Sequence, residues 1–424
     1  MKQVLGIAFL WFCPGILGQQ VITLQSCLDR VENNRLQTIT ESASFKTSQL
    51  RDAFHWWSLL PNLSANTGFN TSFGRRLDPF TNTFATSSVN SQSFGLSSGM
   101  ALFNGLDYFY QRKILASSVR RNKIQLESRQ NEVKTQVVEL YVLLCKLDSQ
   151  LRLADSRIEK HEQLYALQCL LIQEGRIHAI DTLRSRNALL NEQTLKLDLL
   201  HELKLKTIQL NFLMGTPLET SYLFDPASLS VVSDNLRLEE SFTLEILELE
   251  SEITANELHS DRAAFLPSLS LSGFLGTGFS TNNKEYTLSG NPTKPYSDQL
   301  NQNLYEGIGL SLSIPLFSRS EWFKTKQLNA IRQEEISEQK QLTGLSLEKH
   351  RAELLQKRLD CASRLEQLKQ TAANLESIYS RSLLLYREGR LSSMEIETIL
   401  LEWQFKEAEL ETISLNRLFL HLLE

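Results

Sequence analysis

From Asn62 to Phe73 the chain alternates residue by residue. Leu63, Ala65, Thr67, Phe69, Thr71 and Phe73 fall on one side, and Asn62, Ser64, Asn66, Gly68, Asn70 and Ser72 on the other. A period of two predicts a strand with one apolar and one polar face. The returning segment alternates too, with Phe94, Leu96, Ser98, Met100 and Leu102 against Ser93, Gly95, Ser97, Gly99 and Ala101. A second pair repeats the pattern farther on. It has Leu269, Leu271, Gly273, Leu275, Thr277 and Phe279 in one segment and Ile308, Leu310, Leu312, Ile314 and Leu316 in the other. The spacing predicts hairpins over 62–103 and 268–317, joined by Ser-, Thr-, Asn- and Gly-rich loops at about 74–92 and 280–301.

Between the hairpins the period changes. From Gln111 to Glu174 there is neither Gly nor Pro, and Val133, Val137, Leu140, Leu144, Leu147, Leu151, Ala154 and Ile158 follow alternating four- and three-residue steps. That spacing averages 3.5 residues and predicts a coiled-coil seam on a long helix, about 105–173. At ~1.5 Å per residue such a helix is roughly 100 Å long. A second long helix is predicted at about 319–387. Its matching seam is Leu347, Arg351, Leu354, Arg358, Cys361, Leu365, Leu368 and Ala372, where two arginines demand different packing.

Each long helix runs into Glu-Gly-Arg, at 174–176 and 388–390. A glycine there is a natural left-handed cap, so the chain turns and returns as helices over 177–213 and 391–424. Short helices are predicted before the hairpins, over about 43–60 and 249–265.

The chain is therefore written twice. One offset relates Leu102 to Leu316, Tyr165 to Tyr379 and Gly175 to Gly389, and a shorter one relates Pro61 to Pro267. The second hairpin loop is longer by the difference. The repeats are 19–213 and 239–424, with a linker at 214–238 that contains Pro217 and Pro226 and has room for a short strand. A unit of this length is far beyond the ~20–50 residues of solenoid repeats.

Composition narrows the setting. Lys2, the apolar run Val4–Leu17 and Gly18 predict a signal peptide over 1–18. Trp11 and Phe12 before Cys13 argue against lipidation. No stretch has the ~18 uninterrupted apolar residues of a spanning helix. With 44 basic and 49 acidic residues dispersed along the chain, there is no polybasic footprint for nucleic acid. The four remaining cysteines are too sparse for a disulfide framework. The scattered histidines show no metal-ligand spacing, and no catalytic motif appears. No enzyme, cofactor or metal is expected.

A half-buried sheet in water would alternate in the same way. Two features favour lipid: the segments match the ~9–11 residues of a tilted outer-membrane strand, and Tyr108, Phe109, Trp322 and Phe323 cluster near strand ends like an interfacial girdle. Leu63, Phe69, Leu96, Leu102, Leu271, Leu275, Leu310 and Leu312 are then the lipid-facing positions. Four strands cannot close a barrel, so several chains must share one. The competing reading is a secreted coiled-coil structural or adhesive protein.

The ordered set Leu60-Pro61-x-Leu63-Ser64 with Phe265-Leu266-Pro267-Ser268-Leu269-Ser270, together with Leu96-Ser97-Ser98, Leu102-Phe103-Asn104-Gly105 and Leu310 to Phe317, resembles the TolC family of outer-membrane efflux channels. Gly74-Arg75-Arg76-Leu77-Asp78-Pro79 with Thr81-Asn82-Thr83-Phe84 resembles the Bacteroidota branch. The resemblance implies a mixed α+β membrane protein. Three chains would build a twelve-stranded barrel in the outer membrane, continued by a coiled-coil tunnel across the periplasm. It also implies a periplasmic adaptor and an inner-membrane transporter as partners, in drug efflux, metal efflux or type I secretion. On the same grounds Gly175, Arg176, Ile177, Gly389, Arg390 and Leu391 are adaptor-docking tips. Glu395 and Asp181 are gate residues, with Thr398 where the family usually has a second gate acid and Leu391 where it usually has a basic residue.

Overall fold

The computed structural model describes residues 20–77, 82–85, 88–230, 236–285, 290, 292–316 and 321–421. The expected signal peptide, Asp78, Pro79 and Thr81 of the first loop, Phe317 and the start of the second long helix lie outside the described residues. In chain order the first repeat runs β1 (Gln20–Ile22), α1 (Leu24–Asn33), α2 (Ile39–Phe54), β2 (Asn62–Ser72), the short β3 (Arg76–Leu77) and β4 (Phe84–Ala85), β5 (Val89–Asn104), α3 (Asp107–Gln173) and α4 (Ala179–Met214). Then come β6 (Tyr222–Phe224), α5 (Glu239–Ala263), β7 (Ser268–Ser280), α6 (Tyr296–Gln302), β8 (Tyr305–Ser313), α7 (Glu321–Arg387) and α8 (Ser393–Leu420). The chain divides into two compact units, one holding Ala43–Ile124 and Glu245–Gln341, the other the rest.

The first of these, the sheet unit, is built on an antiparallel sheet of order β2-β5-β7-β8. Cross-strand partners share a face, so the register tests the alternation directly. Ala65 pairs with Leu96, Leu96 with Leu275, Leu271 with Met100 and Leu310, and Leu269 with Leu312. One apolar face therefore runs across all four strands. The opposite face carries Asn62, Asn66, Ser97, Gly99, Ser272, Gly309 and Ser311.

Three details differ from the sequence pattern. The register slips between Ala101 and Phe103, so Phe103, not Leu102, pairs with Leu269. Leu102 is the extra residue of a bulge, which shifts the phase by one. The second hairpin closes at Ser313 rather than 317, because Pro315 has no N–H to continue a ladder. The loop after β7 folds a short helix, α6, whose Gln299 is buried and accepts from the Ser280 N–H at 2.9 Å.

The helices flanking the sheet are also longer or differently ended than expected. α5 starts at Glu239, and α2 passes into a 3-10 turn at His55–Leu59. α5 is held to the start of α3 by Gln111–Ser260 (2.8 Å) and Arg120–Glu252 (3.3 Å), and to α7 by Arg332–Glu257 (3.1 Å) and Asn329 donating to the Thr254 carbonyl (2.7 Å). Gly105 makes the entry to α3 possible. Its φ is +66°, and a Cβ there would sit 2.5 Å from the Ala263 carbonyl oxygen.

In the helical unit, β1 and β6 pair in parallel, so the linker does contain a short strand. Behind them Tyr141 is fully buried, its hydroxyl 2.9 Å from the Ile22 carbonyl and 3.0 Å from Ser228 Oγ, and accepting from the Asp225 N–H at 3.2 Å. Leu24, Leu28, Val137, Leu144 and Leu210 close the core around it. Cys27 and Cys145 lie in this core as free thiols, pushed up to about 12 by burial. Cys169 and Cys361 are also free.

Of the α3 seam, Val133, Val137, Leu144, Leu147, Leu151 and Ala154 are buried. On α7 only Leu365, Leu368 and Ala372 of the matching positions are. Arg358 has its own use there, since Nε and Nη2 donate to the Leu420 carbonyl at 3.1 and 2.9 Å and so cap α8.

Candidate functional site: the duplicated tips and the two-faced sheet

Both long helices of the helical unit end in the same way. Gly175 and Gly389 each have φ +74°. The Gly175 N–H reaches Ile172 O and the Arg176 N–H reaches Leu171 O, both at 2.9 Å. In the second copy Gly389 reaches Tyr386 O at 3.0 Å and Arg390 reaches Leu385 O at 2.9 Å. These are Schellman closures, and they need a residue that adopts φ > 0 without strain.

The structure brings the two tips together. A Cβ on Gly389 would lie 3.2 Å from Arg176 Nη2, so the first tip's guanidinium rests over the second tip's turn. Arg176 also pairs with Glu174 (3.4 Å), and Arg390 with Glu388 (3.5 Å). Ile177 and Leu391 turn inward against a cluster of Leu164, Leu171, Tyr386, Ile396 and Leu400.

The acids after the turns behave differently. Glu395 belongs to a capping box. Its Oε2 accepts from the Ser392 N–H and hydroxyl at 2.8 Å each, while Ser392 Oγ accepts from the Glu395 N–H at 3.3 Å. The Ser392 N–H and hydroxyl hold this carboxyl below its usual range, so it stays ionised. Ser-x-x-Glu ahead of an apolar run is a helix-start signal, and it was present in the sequence. At the matching place in the first repeat, His178 is the N-cap residue and makes no side-chain cap bond. Asp181 instead faces Arg184 at 3.9 Å. Thr398 is exposed and donates to the Met394 carbonyl at 2.8 Å.

In the sheet unit, Leu63 (71% exposed), Phe69 (70%), Leu310 (66%) and Leu312 (62%) are bare on the apolar face. Leu96 and Leu275 are less so, and Leu271 is half-buried. The aromatics near the strand ends split in a repeat-related way. Tyr108 stacks on His55 (4.5 Å between centroids, 8° between planes), and Trp322 packs edge-on against Phe265 (5.7 Å). Phe109 and Phe323, one residue on, are exposed. Trp56, Trp57 and Phe54 add exposed rings just before β2, a group the sequence reading left out.

The small-residue face is also less uniform than its sequence suggested. Phe274 and Tyr305 lie on it, 6.0 Å apart between centroids. A methyl at Gly307 or Gly276 would overlap their rings, so each aromatic packs over a glycine of the adjacent strand. The signal was Phe274 itself, out of phase among serines and glycines.

Among the described residues no group of three or more His, Cys, Asp or Glu side chains is placed to hold a metal. No described helix is long and apolar enough to cross a membrane.

This arrangement is the TolC-like outer-membrane-factor fold. A solved structure of CusC, described for its folding and transmembrane channel formation, superposes with a TM-score of 0.79 at 15% identity, over 95% of this chain and 91% of that one. The CmeC outer membrane channel of Campylobacter jejuni gives 0.75 at 15%, covering 100% and 92%. The outer membrane protein VceC of Vibrio cholerae gives 0.74 at 14%, covering 94% and 95%. No family model matches the sequence, and no curated protein matches it. The likeness lies in the fold.

Proposed function

We propose that this protein is the outer-membrane exit duct of an efflux or type I secretion assembly, working as a homotrimer. The observation that carries the reading is the sheet. Its apolar face is exposed across four strands, and β2 and β8 are outer strands that need partners if the sheet lies in lipid. Three copies joined β8 to β2 supply those partners and close a barrel with the apolar face toward lipid. Phe109, Phe323 and the rings beside them sit at the interface, and the Asn-, Ser- and Gly-rich face lines the lumen.

The helical unit forms the periplasmic part. Its paired glycine turns present Arg176 and Arg390 to a periplasmic adaptor, which couples the duct to an inner-membrane transporter. Copies of Glu395 about the trimer axis draw cations at the narrow end, and the capping box that keeps this acid ionised supports that role. Asp181 tethers neighbouring helices in the closed state. No catalysis is involved.

The test is membrane fractionation followed by native mass measurement in detergent. The expected result is an outer-membrane protein extracted only by detergent, with three chains per particle. A stable water-soluble monomer, or a secreted fibrous protein, overturns the reading.

A further inference from the structure

Below the tips, α3, α4 and α8 meet along a line of buried and half-buried polar side chains. His161 and Gln168 on α3, Ser185 and Glu192 on α4, and Glu397, Gln404 and Glu411 on α8 each recur at heptad spacing, so they occupy matched layers of the bundle. His161 is 1% exposed, Gln168 and Ser185 0%, and Gln404 2%. Few of their polar atoms are satisfied. Both ring nitrogens of His161, both amide atoms of Gln404, Gln168 Oε1, Ser185 Oγ, Arg157 Nε and one oxygen each of Glu192 and Glu411 find no close hydrogen-bond partner among the described residues. The contacts that exist are sparse: Arg157 Nη2 to the Gln404 carbonyl at 2.7 Å, Gln168 to Glu397 at 3.4 Å, and Lys160 to Glu407 at 3.9 Å.

Packed cores rarely leave so many polar groups unpaired in one place, and such concentrations need a reason. Apolar residues hold the neighbouring layers, with Leu164, Leu171, Ile396 and Leu400 nearly or fully buried. The helices are thus glued above and below a seam that is itself poorly satisfied. That is how a bundle is built if the seam must part.

We propose that His161 is a proton-operated release for this seam, its neutral ring compatible with the packed helices and its protonated ring favouring their separation. The charged groups acting on it are Arg157 from its own helix, Glu192 from α4 and Glu397 from α8, with the Gln404 amide beside the ring. Burial pushes the imidazole below its ordinary range and outweighs the pull of the two carboxylates. A state that opens the ring to water therefore takes up a proton at higher pH than the packed state does. The packed arrangement keeps its full advantage above the ordinary histidine range and loses it as pH falls through that range. The inference concerns the seam alone and holds whether or not the duct reading does.

Hydrogen exchange on the full chain in detergent, at about pH 7.5 and pH 5.5 with intrinsic rates corrected, reads the seam directly. Protection in 157–168, 185–192 and 397–407 is expected to fall about fivefold or more on acidification, while 133–145 around Tyr141 keeps its protection. His161→Leu and His161→Gln should each abolish the fall; the glutamine variant serves if leucine disturbs folding. Glu192→Gln should enlarge the fall at the same pH, because it removes a carboxylate that partly offsets burial in the packed state. An unchanged wild-type seam, or a fall that persists in the His161 variants, overturns the proposal.

Discussion

The two helical tips began as one sequence and now differ where it matters. Both keep the Glu-Gly-Arg turn with the same φ and the same pair of closing bonds. Three residues on, the second tip has Ser392 and Glu395 locked in a capping box, while the first has His178 without a side-chain cap and Asp181 beside Arg184. A turn that depends on backbone geometry at φ +74° strongly favours glycine, and both copies have it. A cap depends on side chains, and several solutions satisfy it. The same contrast holds in the sheet, where the alternation is shared but only the second copy lays Phe274 and Tyr305 on glycines.

The largest effect should come from the sheet. Leu310→Arg is expected to cost roughly 2–4 kcal/mol of assembly in a bilayer, whereas Ser311→Arg, on the opposite face of the same strand, should be far milder. Urea titration of the protein folded into vesicles measures both, and equal costs would mean the face assignment is wrong.

At the turns, Gly175→Ala and Gly389→Ala should each lose about 1–2 kcal/mol, because both glycines need the left-handed region. The Arg176 guanidinium crowds only Gly389, so any excess cost there should vanish in an Arg176→Ala background. A persistent excess would show that the two tips are not in contact.

The cap itself is a smaller matter. Ser392→Ala is expected to destabilise the start of α8 by about 1 kcal/mol, and His178→Ala to do almost nothing at the start of α4. Amide exchange in the two segments would separate them, and equal fraying would dissolve the distinction between the tips.

The mildest effect follows from pH. The Glu395 carboxyl is held down in the folded chain by Ser392, so its contribution is present above the ordinary glutamate range and is lost as pH falls through its lowered value. Titration by carbon-detected NMR should find it below the ordinary glutamate range in the wild type and returned toward that range in Ser392→Ala. If the substitution leaves the titration where it was, the capping box is not its cause.

Much of this could be read along the chain. Alternation marked all four long strands because a half-buried sheet imposes a period of two. The absence of Gly and Pro marked the first long helix, the repeat offset carried that reading to the second, which contains Gly344, and a glycine after each long helical stretch marked each turn. The bulge at Leu102 was invisible, since an extra residue leaves the alternation unbroken on paper and shifts only the pairing. The capping box was visible but overlooked, because Glu395 was read for its charge and not for its spacing from Ser392.

The elements, the duplication and the two faces of the sheet follow from local periodicity, and periodicity is a property of sequence alone. Which polar residues would be buried together was decided elsewhere. His161, Gln168, Ser185 and Gln404 are ordinary hydrophilic helix residues until α3, α4 and α8 come side by side and remove them from water. Arg176 meets Gly389 only because two turns more than two hundred residues apart are folded against each other. Such contacts depend on distances between helices, and no pattern within a single helix encodes them.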